Sequence, residues 1–272
     1  MELAALRNAA MSFDSAELRE VRVGINSVPE TRFKAVYNLN SNKVATIVSD
    51  RYNLVQHKDV VESVADALLN LNIRSDASVR NDGNRIFVDI AFPDSKLYAG
   101  VGEEFFSGVR VINSYNKTTG IMVLPHLVRL ACSNGMVMNV GWVKEFNITH
   151  TQKLAEDFSK TIQVMIKDMA QGNEKFKAMV NNCIGDSIEW ELLDKIMVKL
   201  VDKRSKHLEA IKQMLVEKYA KDKAKPTRWD VYNAFTDYAT HGEQLKPSIE
   251  QWLQNRAQKI LVTPLLELVP KE

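Results

Sequence analysis

The feature that most constrains this chain is a change of sequence pattern near residue 150. Before it, short runs of β-branched and aromatic residues alternate with turn residues, a pattern typical of strands. After it, apolar residues recur at the 3.6-residue spacing of amphipathic helices. We therefore predict an α+β fold, with an antiparallel sheet and packed helices in a domain over residues 1–150 and an all-helical domain over residues 151–272.

Individual elements follow from the same patterns. In the first half, turn residues 116–120 join two strand-like runs closely enough to predict a hairpin. In the second half, Trp229, Tyr232, Phe235 and Tyr238 fit a buried helix face better than a stacking surface. The predicted strands lie at 44–49, 85–92, 109–112 and 121–124, and the predicted helices at about 58–71, 126–133, 154–169, 174–183, 187–201, 205–220, 227–240 and 247–261.

The charge balance excludes a protein coated in positive charge. The chain has 36 Lys and Arg against 34 Asp and Glu, a net charge of +2, so any nucleic-acid site must be a local patch. Its two cysteines, Cys132 and Cys183, form neither a disulfide framework nor a C-x-x-C motif. Apolar runs are too short to cross a bilayer, and the first residues lack the features of a signal peptide. We therefore predict a cytoplasmic protein without membrane contact.

The sequence contains no familiar catalytic motif. There is no phosphate loop, no dinucleotide-binding glycine motif, no H-E-x-x-H and no nucleophile elbow, and the five histidines lack metal-ligand spacing. We therefore assign no catalytic residue, cofactor or metal. The enzyme alternative is a site assembled around Cys132, His150 and Arg129, although a lone cysteine is more typical of a small buried residue.

Three polar segments of the first half are candidates for nucleic-acid binding. Arg51 and Tyr52 follow a predicted strand, where a guanidinium can hold a phosphate and a phenol ring can stack on a base. Arg110 and Lys117 lie next to or within the predicted hairpin tip, which presents polar groups to a phosphate backbone. Arg129 lies among apolar residues and needs an anion or carbonyl groups as partners. Each segment also has a structural alternative: a strand-to-helix turn, a soluble hairpin tip, or an internal ion pair.

One basic segment stands out in the second half. Residues 195–228 contain eleven Lys and Arg against four Asp and Glu. Four lysines of this segment recur at helical spacing, which predicts one stripe along a polyanion backbone: Lys195, Lys199, Lys203 and Lys206. Lys199, Lys203 and Arg204 are therefore the candidate nucleic-acid-binding residues of this half. A helix that simply exposes its lysines to water would have the same pattern.

Several blocks in a fixed order resemble the phage- and plasmid-borne domain-of-unknown-function family nine-three-two. The resemblance extends from about residue 44 to 260 and implies an origin in phages, prophages or plasmids, but no activity. It places Arg129, Cys132, Asn134 and His150 in recurrent motifs without giving them roles. The blocks are S-D-R-Y at 49–52 with the helix that follows, R-L-A-C-S-N at 129–134, I-T-H-T at 148–151, and W-D-V-Y-N-A-F-T-D-Y-A-T-H at 229–241.

The order of predicted elements is also similar to the core of single-strand annealing proteins, which form rings and hold single-stranded DNA in a basic groove. We therefore predict a phage or plasmid protein that binds or anneals single-stranded DNA in replication or recombination, as a homo-oligomer that could be a ring. The alternative is a phage protein that docks onto a host or phage protein through its helical half, without binding DNA.

Overall fold

In the part of the chain that it describes, a computed structural model shows two antiparallel sheets and two helices up to Ile148, and helices from Leu154 onward. It describes residues 3–24, 27–99, 103–129, 135–137, 146–148, 154–202, 205–242 and 245–269. The predicted α+β class is confirmed, with two sheets rather than one in the first half.

The first half builds its sheets from neighbouring strands. One sheet has the order β1-β2-β3, and the other has the order β4-β5-β6-β7-β8, with β9 paired to β7. Strands β6 and β7 are neighbours, which confirms the predicted hairpin around residues 116–120. The elements are α1 Leu3–Ala10, β1 Ala16–Val23, β2 Val28–Asn38, β3 Lys43–Ser49, α2 His57–Asn70, β4 Asp76–Asn81, β5 Arg85–Ala99, β6 Glu103–Ser114, β7 Ile121–Arg129, β8 Gly135–Val137 and β9 Phe146–Ile148.

The second half confirms the six predicted helices. Helix α7, most of whose residues are buried, begins where Thr227 and Asp230 form a capping box, because each side chain accepts the other residue's backbone N–H. Helix α8 begins with Pro247, which lacks the N–H that a first turn leaves unbonded. The elements are α3 Leu154–Gln171, α4 Asn173–Gly185, α5 Trp190–Val201, α6 Lys206–Met214 with a π-helical turn Leu215–Tyr219, α7 Arg228–His241, α8 Pro247–Val262 and α9 Leu265–Leu268.

The helix predicted at 126–133 is wrong for its described residues. Strand β7 continues through Arg129, and β8 pairs with it from His126 to Val128. Ile121, Val123 and Leu127 fall on one side of this strand, but Leu124 and His126 on the other side are buried as well. A short apolar run fits a buried strand as well as a buried helix, so its period alone could not decide. Residues 130–134 lie outside the described residues.

The chain forms two compact units. The first contains Met1–Asp94, Gly108–Pro125 and Lys144–Ile166, and the second contains Ser95–Ser107, His126–Val143 and Lys167–Glu272. Helix α2 buries its predicted apolar face in the first unit, as its fully buried valines show. Helix α7 runs through the core of the second unit and is buried along nearly its whole length. None of the helices in the described ranges is both long and apolar enough to cross a membrane.

Trp229, Tyr232 and Phe235 are buried in the second unit, which confirms their prediction as core residues, while Tyr238 is half-buried. The rings of Trp229 and Tyr232 stack with their centroids 5.1 Å apart. Phe105 packs edge-on against Phe176 at 5.2 Å. Phe105 also packs edge-on against Trp229 at 6.3 Å, and this contact joins α7 to the rest of the unit.

Candidate nucleic-acid interface

The two faces of the β1-β2-β3 sheet differ in what covers them. Side chains alternate between the faces of a strand, so Val36 points to one side and its neighbours on β2 to the other. The inner side is buried in a core cluster formed by Ala16, Val36, Val48 and Tyr115. The opposite side carries large apolar groups that remain open to solvent.

We call this opposite side the outer face. Ala35 lies at its centre, between Arg19 of β1 and Ile47 of β3, and Tyr37 lies between Glu17 and Val44. Phe33, next along the same side of β2, is 43% exposed, and Ile47 is 46% exposed. The outer face consists of Glu17, Arg19, Phe33, Ala35, Tyr37, Val44 and Ile47.

Two arginines lie against the aromatic rings of this region. The guanidinium carbon of Arg19 is 3.3 Å from the centroid of the Tyr37 ring. That of Arg32 is 5.8 Å from the centroid of the Phe33 ring. A guanidinium is attracted to the negative face of an aromatic ring and is itself a flat surface on which a base can stack. The outer face therefore presents two flat stacking positions.

Each of these arginines is also bound to a glutamate. The Arg19 Nε donates to Glu17 Oε1 at 2.6 Å, and the Arg32 Nε donates to Glu30 Oε1 at 3.1 Å. The hydrogen bond to Glu17 raises the pKa of Arg19, and the hydrogen bond from Arg32 lowers the pKa of Glu30. The cations are thus held in place, with their charge balanced locally.

Arg51 lies at the end of the sheet where Phe33 is exposed. The Asp50 N–H donates to the Arg32 carbonyl at 3.0 Å, so the turn after β3 adjoins the Arg32–Phe33 segment. Arg51 is exposed, and no described residue forms an ion pair with it. Tyr52 instead packs on the inner core, and burial raises the pKa of its hydroxyl. The structure therefore separates two residues that the sequence analysis grouped together.

The other candidates of the first half lie elsewhere. Arg110 is 1% exposed and binds Asp89 through Nε and through Nη2, the latter 2.9 Å from Oδ2. Arg80 binds the same carboxylate, so this is an internal ion-pair cluster. Lys117 is exposed in the turn between β6 and β7, with a φ of 58°. Arg129 lies in β7, and its side chain is outside the described part of the structure.

The basic segment 195–228 does not form the single helical stripe that its spacing predicts. Helix α5 ends at Val201, and Asp202 has a φ of 74°, so Lys199 and Lys206 lie on different helices. The Lys199 ammonium donates to two carbonyl groups near the end of α9, each at 3.2 Å. Lys203 and Arg204 lie outside the described residues.

Most described cations of this segment have partners within the fold. The Arg228 guanidinium, for example, is 2.7 Å from Asp186 and also donates to the carbonyl groups of Ile260 and Leu261. Lys212 also pairs with Glu209 inside the segment, but the other five partner carboxylates lie outside residues 195–228, which is why a charge count of that segment overstates its positive charge. The pairs are Lys212–Asp194, Lys218–Asp237, Lys223–Asp230, Lys225–Glu189 and Arg228–Asp186.

Among the open cavities of the second unit, one has a volume of about 610 Å³ and another about 390 Å³. Cys183 and Arg228 line the larger one, where burial raises the pKa of the Cys183 thiol to about 11 and Arg228 is bound as described above. Tyr238 lines the smaller one, and its hydroxyl is 2.9 Å from His207 Nδ1. Within the described ranges, no group of three His, Cys, Asp or Glu side chains could hold a metal ion. Neither cavity combines flat aromatic surface with exposed arginine.

The main residues of the outer face are not among the candidates predicted from the sequence. Two signals were present in the sequence. Phe33 and Tyr37 have the even spacing that puts residues on one side of a strand, and the pattern Glu-x-Arg occurs three times between residues 17 and 32.

A family model described as "Domain of unknown function (DUF932)" matches residues 44–261, which is most of the chain. The chain belongs to the DUF932 family. No curated protein and no solved structure matches it. The DUF932 match includes nearly all of β3, whereas β1 and β2 precede it. The similarity to single-strand annealing proteins stays a prediction, and one part of that element order, the helix near His126, is wrong.

Proposed function

We propose that this DUF932 protein binds nucleic acid on the outer face of its first sheet, and that its preferred ligand is single-stranded DNA in replication or recombination. One observation carries the proposal: an open sheet face combines the exposed Phe33 ring with the Arg19–Tyr37 stack. Aromatic rings and guanidinium planes stack on bases of any sequence, and such stacking is worth about 1–3 kcal/mol per base.

The spacing of the two stacking positions suits a short stretch of strand. Phe33 and Tyr37 are four residues apart on β2, which corresponds to about 13 Å at a rise of about 3.4 Å per residue. Four-stranded RNA-binding sheets use aromatic residues on an open face in the same manner for two or three bases. In a duplex the base faces are stacked on one another, so this surface favours unpaired nucleotides.

Two exposed cations at the ends of β3 can contact the phosphates of such a strand. Arg51 follows the strand and Lys43 begins it, and neither forms an ion pair with another described residue. Phosphate contacts of this kind position a nucleic acid without reading its sequence. The proposed ligand is therefore bound with little preference for base identity.

We also propose that the protein acts as a homo-oligomer in the cytoplasm of a bacterial host, on a phage or plasmid genome. Strands β1 and β3 are the two edges of their sheet, and exposed strand edges can pair with a second copy of the chain. The buried free thiol of Cys183 fits a reducing compartment. The phage or plasmid origin rests on the sequence resemblance.

Fluorescence anisotropy with a labelled single strand of about 20 nucleotides, and with the matching duplex, tests the proposed function. We expect tighter binding of the single strand, and an affinity about tenfold lower for Phe33→Ala. Trp252→Ala is the matched control, because Trp252 is also half-exposed and lies beside an arginine, Arg256, at 5.3 Å, but on α8. No binding at about 50 mM salt, or equal losses in the two variants, would contradict the proposal.

A further inference from the structure

One arrangement is repeated along the first hairpin. Arg19, Arg22 and Arg32 each bind the glutamate two positions earlier, and the N–O distances are 2.6, 2.7 and 3.1 Å. These pairs include every arginine and every glutamate of β1 and β2. The three arginine side chains are at the surface, 45%, 59% and 78% exposed. The positive charge of the hairpin's arginines is therefore neutralised by glutamates at the surface that a ligand would contact.

This pairing affects a contact between the arginines and a phosphate differently from a contact between the arginines and a base. A phosphate has to compete with a carboxylate that already holds the Nε–H of each guanidinium, and it is repelled by that carboxylate. A base that stacks on the guanidinium plane does not compete, because the carboxylate binds at the edge of the plane. The guanidinium carbon of Arg19, 3.3 Å from the centroid of the Tyr37 ring, lies directly over that ring.

We infer that the three Glu–Arg pairs of this hairpin, of which Glu17–Arg19 lies on the outer face, make this surface selective for unpaired bases and keep its phosphate contacts few. This inference rests on the proposed function and names the part of the nucleic acid that the site recognises. Two exposed cations, Arg51 and Lys43, remain to neutralise phosphates. At a slope of about 0.7 per phosphate for a single strand, log K falls with log salt with a slope of only about −1.4.

The first test compares two labelled strands with the same phosphates. One is a thymidine strand of about 20 nucleotides, and the other is an abasic strand of equal length. Anisotropy titrations at several salt concentrations give the affinity and the salt slope for each. We expect the thymidine strand to bind at least about tenfold more tightly, because the abasic strand has no rings to stack.

The second test removes the negative partners. In the triple variant Glu17→Gln/Glu20→Gln/Glu30→Gln, three arginines become available to phosphates, so the salt slope steepens by up to about 2 and the abasic strand begins to bind. Glu62→Gln is the matched control, because Glu62 pairs with Lys58 at 3.6 Å on the surface of α2, away from the sheet. Urea unfolding checks that both variants fold, since exposed ion pairs contribute only about 0–1 kcal/mol.

The outcomes separate the inference from the proposed function. If the wild-type protein binds both strands equally with a steep salt slope, the inference is wrong and nucleic-acid binding stands. If the triple variant keeps the wild-type slope and still rejects the abasic strand, the pairs do not control phosphate contacts and the inference is again wrong. If neither strand binds at about 50 mM salt, both proposals are wrong.

Discussion

Two regions of this molecule each contain several Lys or Arg side chains, and their positive charges are used in different ways. In segment 195–228, most partners of the described cations come from outside the segment and are brought in by the fold, as Asp186 is for Arg228. In the first hairpin, the partner is the glutamate two residues earlier, and the cation stays at the surface beside an aromatic ring, as Arg19 does beside Tyr37.

The difference shows that a local count of charges says little about where a polyanion binds. Residues 195–228 have the largest positive excess in the sequence, yet their described ion pairs join elements of the second unit to one another. The first hairpin is nearly neutral, yet it carries exposed rings and flat guanidinium groups. The four predictions below test this contrast.

The largest expected effect is on stability. It concerns His57, which lies in the core behind the first sheet and not on its outer face. His57 stacks on Tyr115 with ring centroids 3.8 Å apart, and burial lowers its pKa to about 3 from the usual 6.5. Between pH 3 and pH 6.5 the unfolded chain binds a proton at His57 and the folded chain does not. The contribution of the neutral His57 to the free energy of unfolding is therefore fully present above pH 6.5. It is lost as the pH is lowered toward 3, by up to about 5 kcal/mol. Urea midpoints as a function of pH measure this loss.

The matched variant for that experiment is His57→Asn, because an Asn side-chain oxygen can replace Nδ1 as the partner of the Asn113 amide, which lies 3.0 Å from it. We expect a lower stability at neutral pH and a weaker dependence on pH. A pH dependence equal to that of the wild-type protein would show that His57 is not the group responsible.

The second prediction concerns the basic segment. Arg228→Met removes a buried guanidinium that holds Asp186 and two backbone carbonyl groups, and it leaves those acceptors without their donor. We expect a loss of about 3–5 kcal/mol in the free energy of unfolding. Lys221→Ala, in the exposed turn of the same segment, should change it by less than about 0.5 kcal/mol. Equal effects of the two variants would remove the structural role that we assign to Arg228.

The third prediction measures the phosphate contact of Arg51. Arg51→Ala should weaken binding of every single strand to a similar degree and reduce the salt slope by about 0.7, without a change in stability. Lys117→Asn, in the β6–β7 turn, is the control and should leave both quantities unchanged. A loss that depends on base identity, or an equal loss in the control, would contradict the assignment.

The smallest expected effect is in the exposed pair Lys225–Glu189, whose side chains are about half-exposed. Lys225→Ala should cost about 0–1 kcal/mol of stability and leave the affinity for single strands unchanged. If it instead lowered that affinity as much as Arg51→Ala, the basic segment would belong to the binding surface and the contrast between the regions would disappear.

Local patterns were sufficient to predict most elements of the fold. The helices after residue 154 follow from their apolar period, and Thr227 and Pro247 mark two of their starts through contacts within one turn. The strand at His126–Arg129 could not be told from a helix, because pairing with β8 decides it and that pairing is not local.

The binding surface was harder to predict for the same reason. Which side of β2 is open depends on the core that Tyr115 completes, and Tyr115 is far along the chain. Likewise, Lys218 could not be assigned to the fold from sequence, since its partner Asp237 lies on the next helix. Arg51 was identified because it follows a strand directly, and its place beside Phe33 became visible only with the register of β2 and β3.

The start of the family match within the first sheet has a practical consequence for protein production. A fragment that begins at residue 44 would keep β3 and lose β2, the strand that hydrogen-bonds with it. The freed segment V-A-T-I-V has high β-propensity, no charge and no proline, the composition of segments that assemble between chains. We expect such a fragment to precipitate on expression, whereas one that begins before β1 keeps this strand covered on its β2 side.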